Sequence, residues 1–210
     1  MQVFDQLNPD EERRLYNGIS PKFRNARLFN FDADAIAPVI AWAESPCGFL
    51  FVHGFCGCGK SHLAAAVKRD FNERRVWSGL ACCQDIIAEL RASFDNGGSE
   101  YWIIRRYAPN LNPARSNGRP GIFDDFGGTR QTDFSIDAWF NIVDRRYRFD
   151  YPTMITSNLS LEEIAGSMND RIASRLASGV IFELRGRDRR VVKPETARII
   201  PMRGREAANG

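Results

Sequence analysis

The sequence predicts an α/β fold built around a parallel sheet, and three observations carry that prediction. Gly54-Phe55-Cys56-Gly57-Cys58-Gly59-Lys60-Ser61 fits the phosphate-loop pattern G-x-x-x-x-G-K-[ST] without a mismatch. An apolar run, Phe49-Leu50-Phe51-Val52, precedes it and Leu63-Ala64-Ala65-Ala66-Val67 follows, which gives the strand, glycine turn and helix order that the motif requires. Further along, Gly121-Ile122-Phe123-Asp124-Asp125 runs from apolar residues into two acids, the form of a Walker B strand.

Composition sets the frame. With 210 residues, 43% of them hydrophobic and 26% charged, the chain suits one globular domain with a sizeable core. The start, Met1 to Gln6, lacks the basic and then apolar pattern of a signal peptide, and no apolar run approaches a membrane span, so a cytoplasmic protein is expected. Five cysteines are an odd number, and two of them, Cys56 and Cys58, lie in the phosphate loop, where a disulfide would distort the cradle; reduced thiols are expected. A net charge of +3 does not by itself announce a nucleic-acid binder. Arginine carries nearly all the positive charge, as Lys22, Lys60, Lys68 and Lys193 are the only lysines. That bias fits bidentate phosphate contacts and a GC-rich genome equally well.

In chain order, Pro9 to Tyr16 reads as a short helix capped by Asn8, with Asp10, Glu11 and Glu12 in its first turn. Residues 34 to 44 read as an amphipathic helix, and Val76 to Ala81 as a second strand after the phosphate-loop helix. A helix from Gln84 to Phe94 ends at Asp95-Asn96-Gly97-Gly98, and residues 108 to 120 form a loop. Residues 133 to 148 show the clearest helical stripe, with Ile136, Trp139, Phe140, Val143 and Tyr147 expected on the core face. Pro152 to Asn158 is a strand with a polar end, and Ser160-Leu161-Glu162-Glu163 has capping-box form. A helix from Asp170 to Ala177, stopped by Gly179, leads to a last strand, Val180 to Leu184, and a polar tail follows from Lys193.

The chemistry follows from the motifs. Glycines let the loop curl until its N–H groups face phosphate oxygens, aided by the positive end of the following helix. Residues Gly54, Phe55, Cys56, Gly57, Cys58, Gly59, Lys60, Ser61 and His62 are therefore read as nucleotide-binding. Lys60 reaches the β and γ phosphates, and Ser61 and Asp124 hold Mg²⁺. Asp125 orients or deprotonates the attacking water. Tyr101-Trp102-Ile103-Ile104-Arg105-Arg106-Tyr107 has two readings. In one, the aromatics of an ordinary amphipathic helix enter the core; in the other, Tyr101 and Trp102 stack on exposed bases while Arg105 and Arg106 hold phosphates.

Five stretches in order, Gly-Lys-Ser-His-Leu-Ala at 59–64, Ile-Phe-Asp-Asp-Phe-Gly at 122–127, Arg-Arg-Tyr at 145–147, Pro-Thr-Met-Ile-Thr-Ser-Asn-Leu-Ser at 152–160 and Arg-Ile-Ala-Ser-Arg-Leu at 171–176, resemble AAA+ ATPases of the DnaC and IstB type. These are bacterial and phage replicative helicase loaders and transposition helpers. The resemblance implies a five-stranded sheet of order 5-1-4-3-2 flanked by helices, a reduced or absent helical lid, and assembly into an open ring or spiral with ATP between subunits. It places Asn158 at the sensor 1 position, Arg175 at the arginine-finger position with Arg171 one turn earlier, and Arg190 at a second sensor beside Arg187 and Arg189. It also puts single-stranded DNA near residues 99 to 107, and implies a replicative helicase as partner. Loaders of this type commonly carry an N-terminal helicase-gripping domain, whereas only about 18 residues precede the likeness here.

The reading is thus an N-terminal extension over 1–18, an AAA+ ATPase domain over 19–192 and a polar tail over 193–210. The expected activity is ATP hydrolysis with Mg²⁺ by a self-assembling, DNA-binding switch, with helicase loading as its job. A transposition ATPase acting on duplex DNA, a small phosphate-loop kinase and a non-hydrolysing adaptor are the alternatives.

Overall fold

The computed structural model describes residues 9–95, 98–109, 119–128 and 130–186. Its centre is a parallel sheet of five strands: β1 (Phe49–His53), β2 (Gly79–Cys82), β3 (Gly121–Phe126), β4 (Thr153–Ser157) and β5 (Val180–Glu183). They lie in the order β2-β3-β4-β1-β5, the expected order read from the other edge. Parallel strands need helical crossovers, which cover both faces, so the central strands β1 and β4 are buried almost throughout, and β1 reads as an apolar run.

Alternation along the strands divides the core in two. Phe51, Phe123 and Ile155 point to one face. There they meet α4 (Cys83–Asp95), α5 (Glu100–Tyr107), α6 (Asp133–Arg148) and α8 (Asp170–Leu176) through Leu90, Ile104, Trp139 and Ile172. Leu50, Val52, Ile122 and Met154 point to the other face, against α2 (Ala37–Glu44) and α3 (Lys60–Glu73) through Trp42, Leu63, Val67 and Phe71. Trp139 receives Phe126 and Phe123 edge-on, at centroid distances of 5.1 and 6.0 Å. Each such pair adds about 0.5–1.5 kcal/mol to the area it buries. The capping box at Ser160 forms as expected and starts α7 (Leu161–Ser167), and α1 (Pro9–Leu15) packs on α3. No helix among the described residues is long and apolar enough to cross a membrane.

Four details differ from the sequence reading. The second strand starts at Gly79 rather than Val76, because Arg75 turns the chain with a φ of 60° and the Val76 N–H bonds back to the Phe71 carbonyl at 2.7 Å. α2 begins at Ala37, after a turn over residues 33–36. The buried face of α6 is Ser135, Ala138, Trp139, Ile142, Val143 and Arg146, so the helix is rotated from the expected stripe. Phe140 is only half-buried and Tyr147 is exposed, because both rings serve as shelves for arginines of α8. α8 ends at Leu176 with Ala177 as its C-cap, so Gly179 is not its stop; it is glycine because a Cβ there would lie 2.1 Å from the Phe49 carbonyl oxygen. Asn8, the residues around Arg190 and the tail from Lys193 lie outside the described residues, as does most of the chain after Leu184 on which the reduced lid was read.

Candidate nucleotide-binding site

The carboxyl ends of β1, β3 and β4 meet around a cleft of about 500 Å³, where an open α/β sheet binds its ligands. One wall is the phosphate loop. Gly59, with a φ of 112°, turns the chain into α3, whose first residue is Lys60. Gly54 fits because a Cβ there would stand 2.4 Å from the Leu184 carbonyl oxygen, so the loop lies flat on the start of the segment after β5. The N–H groups that open α3 and the positive end of that helix favour an anion in the cleft.

Lys60 is buried, and its ammonium donates to the carbonyls of Gly54 at 2.7 Å and Phe55 at 2.9 Å. These are neutral acceptors on a glycine-rich turn, which a doubly charged phosphate can displace. Cys56, Gly57, Gly59, Ser61 and His62 also line the cleft. Gly54 and Cys58 stand behind it, Cys58 buried against Gly54, while Phe55 points its ring to solvent. His62 lies 3.0 Å from the Asn30 amide oxygen and is boxed by the rings of Phe23 and Phe31.

The opposite wall carries the acids. A regular strand would send Asp124 and Asp125 to opposite faces. The register of β3 against β4 slips between Phe123 and Phe126, and Asp125 takes a φ of 61°, a left-handed conformation that Asp tolerates better than most residues. Both carboxylates consequently line the same cleft. Thr156 ties them together: its hydroxyl donates to Asp124 Oδ1 at 2.5 Å and accepts the Asp125 N–H at 3.1 Å. The Asp125 carboxylate is held on both oxygens, by Asn158 Nδ2 at 3.0 Å and Gln84 Nε2 at 2.9 Å. Gly128 closes beneath it, since a Cβ there would stand 2.4 Å from Asp125 Oδ2. The buried Cys83 thiol nearby is pushed up by burial, and by the charges of Asp124, Cys82 and Asp125.

Ser61 and Asp124 face the cleft from its two walls, a hydroxyl and a carboxylate. Such hard oxygen donors, few in number, suit Mg²⁺, which keeps waters and takes phosphate oxygens for the rest of its shell. Sequence reasoning missed Gln84, Thr156, Gly128 and the Lys22-Phe23 pair that lines the mouth. Thr156 lies inside a stretch already singled out for its polar end; nothing local marks Gln84, in the first turn of the helix that follows β2.

The remaining candidates lie elsewhere. Arg175 does not line the cleft of its own chain. Its Nε and one terminal nitrogen donate to Asp144 Oδ1 at 2.8 and 2.5 Å, the other terminal nitrogen donates to the Arg171 carbonyl at 3.0 Å, and the guanidinium lies over the rings of Phe140 and Tyr147. Arg171 is exposed and also covers Phe140. On α5, Ile103 and Ile104 supply the core face, and Tyr101 and Trp102 stay exposed. This excludes the reading that sends those two aromatics inward. Arg105 lies over both rings and donates to the Tyr101 hydroxyl at 2.6 Å, whereas Arg106 pairs with Glu89. Arg190 lies outside the described residues.

No family model matches the chain. Among curated proteins, the replicative helicase loader DnaC of Escherichia coli strain K12 is 25% identical over 179 residues, which span 80% of this chain and 70% of that protein. A crystal structure of the DnaC helicase loader superposes with a TM-score of 0.66 at 19% identity, covering 79% of this chain and 100% of the other. The replication initiator DnaA bound to AMPPCP and single-stranded DNA superposes with a TM-score of 0.64 at 18% identity, covering 79% of this chain and 50% of the other. At those identities the two structures speak for the fold, the AAA+ form of the phosphate-loop NTPase. Sequence relative and fold agree on a likeness to the AAA+ proteins of the DnaC type.

Proposed function

We propose that this chain is an ATP-hydrolysing, DNA-binding switch that self-assembles and loads a replicative helicase in the cytoplasm. Its ATPase unit would span 19–192, between an extension over 1–18 and the tail over 193–210. The observation that carries the proposal is the slipped register of β3, which turns Asp124 and Asp125 together towards Lys60 and Ser61 across one cleft.

In this reading ATP takes the cleft with its phosphates on the loop. Lys60 leaves the Gly54 and Phe55 carbonyls for the β and γ phosphates, and Ser61 and Asp124 hold Mg²⁺, which when bound neutralises phosphate charge. Asp125 accepts a proton from, or orients, the attacking water. Gln84 and Asn158 keep its carboxylate aimed, and Asn158 shares the water or the γ phosphate. Arg175 serves the neighbour's site. With three of its five N–H groups engaged by Asp144 and Arg171, two remain for a phosphoryl group. Single-stranded DNA lies on α5, its bases on Tyr101 and Trp102 and its phosphates at Arg105 and Arg106.

Steady-state ATP hydrolysis by the wild type and Arg175→Ala, across protein concentration and with or without single-stranded DNA, tests the scheme. Turnover that rises with concentration and DNA in the wild type, but stays about a hundredfold lower and flat in the variant while ATP still binds, is expected. Turnover indifferent to concentration, DNA and Arg175 would leave an ATP site and remove the shared-site mechanism.

A further inference from the structure

A second cleft, of about 580 Å³, opens at the amino ends of β2 and β3, on the far end of the sheet from the phosphate loop. Arg105, Arg106, Arg119 and Arg146 line it, and none of its described lining residues is acidic. Arg146 forms its floor. It is buried, and its hydrogen-bond partners among the described residues are neutral: Thr153 Oγ1 at 2.7 Å and the carbonyls of Tyr107 at 2.6 Å, Pro152 at 2.8 Å and Arg119 at 3.4 Å. Burial lowers its pKa to about 9, so it remains a cation at neutral pH, with no carboxylate paired to it among the described residues. Of the other three, Arg106 has a carboxylate partner, Glu89.

The rim of this cleft is aromatic. Trp77 is 70% exposed, a costly position for so large an apolar ring. The Arg119 guanidinium lies 4.4 Å from its centroid and covers one face, leaving the other to solvent. Across the cleft Arg105 covers Tyr101 and Trp102, the latter 66% exposed. Two exposed ring platforms, each topped by an arginine, thus flank a trough of positive charge. A partner of matching chemistry has flat apolar rings spaced along an anionic backbone and unpaired so that they can stack.

We infer that this cleft carries single-stranded DNA from the α5 platform to a second stacking platform on Trp77, with Arg105 and Arg119 holding the phosphates between them. The inference rests on the DNA-binding reading of α5 and extends the path of the strand around the β2 edge of the sheet. A duplex, its bases already stacked and paired, offers nothing to Trp77.

Photocrosslinking of the full chain to an oligonucleotide carrying 5-iodouracil tests it, because that base reacts with the aromatic ring on which it stacks. Trypsin separates the platforms. Peptide 76–91 holds Trp77 as its only aromatic residue, and peptide 92–105 holds Tyr101 and Trp102. Adducts in both peptides, undiminished by excess duplex, are expected. Trp77→Ala and Arg119→Ala should each weaken single-strand affinity about tenfold without lowering the melting temperature, as both side chains are surface groups. Adducts confined to 92–105, with wild-type affinity in Trp77→Ala, would overturn the inference and leave the α5 reading standing. Absence of single-strand binding in the wild type would remove both.

Discussion

At the carboxyl end of the sheet Lys60 turns its ammonium onto the carbonyls of Gly54 and Phe55, on the wall of an open cleft; at the amino end Arg146 turns its guanidinium onto the carbonyls of Tyr107 and Pro152, beneath the core. Both are buried cations satisfied by neutral oxygens, and they differ in what surrounds those oxygens. The partners of Lys60 belong to one glycine turn that an incoming phosphate can relieve of the charge. The partners of Arg146 come from α5, α6's following turn and β4, and Gly121 packs so closely that a Cβ there would stand 2.7 Å from the guanidinium. A buried cation is poised for a ligand where its acceptors are local, and is a strut where they are drawn from several segments.

The contrast breaks if Lys60 proves structural or Arg146 dispensable. Lys60→Ala should reduce ATP affinity about a thousandfold, the loss of two charge-assisted bonds to phosphate, while the melting temperature stays near the wild-type value. Titration with a fluorescent ATP analogue measures the first and calorimetry the second. A large fall in melting temperature with affinity preserved would reverse the assignment. Arg146→Met should act in the opposite sense, destabilising the fold by about 2–4 kcal/mol as the Tyr107 carbonyl loses its guanidinium donor and the Pro152 carbonyl keeps only the Gly121 N–H, with ATP affinity unchanged in the folded fraction. Denaturant unfolding followed by nucleotide titration below the transition separates the two effects.

Lys68 sharpens the comparison, since it lies on the same helix as Lys60. Buried and bonded to Asn72 Oδ1 at 2.7 Å and the Ser78 carbonyl at 2.9 Å, it ties α3 to the segment before β2. Burial lowers its pKa from 10.5 to about 8. The unfolded chain therefore holds this proton up to a higher pH than the folded one, and stability from this residue rises as pH climbs from about 8 to about 10.5. Wild type should gain on Lys68→Met by up to ~3 kcal/mol over that window. Taking the difference removes the opposite trend of Cys83, whose raised pKa costs stability at high pH. A difference that is flat with pH would mean that Lys68 keeps an ordinary pKa in the fold.

The phosphate loop was legible because its chemistry is contiguous, and the strand order followed from the resemblance that the ordered motifs carried. The face of α6 was not legible in the same way. Phe140 and Tyr147 have the right period for the core, yet the helix buries Arg146, because the carbonyls that accept its N–H groups lie on distant segments. Tyr101 and Trp102 left two readings open for a related reason: an eight-residue helix with aromatics on one side and isoleucines on another does not say which side meets the sheet.

By itself the sequence determined a phosphate-binding strand, turn and helix, an acid-tipped strand to face it, and the order in which the elements follow. These depend on residues adjacent in the chain, whose spacing and backbone preferences act locally. Only the tertiary structure decided that Asp125 swings to the side of Asp124, that Gln84, Thr156 and Asn158 converge on the pair, and that Trp77 and Arg119 stand across a cleft from Arg105. Each of these is a meeting of separate segments brought side by side by the parallel crossovers. The first also needs a slip in register that reverses what strand alternation dictates.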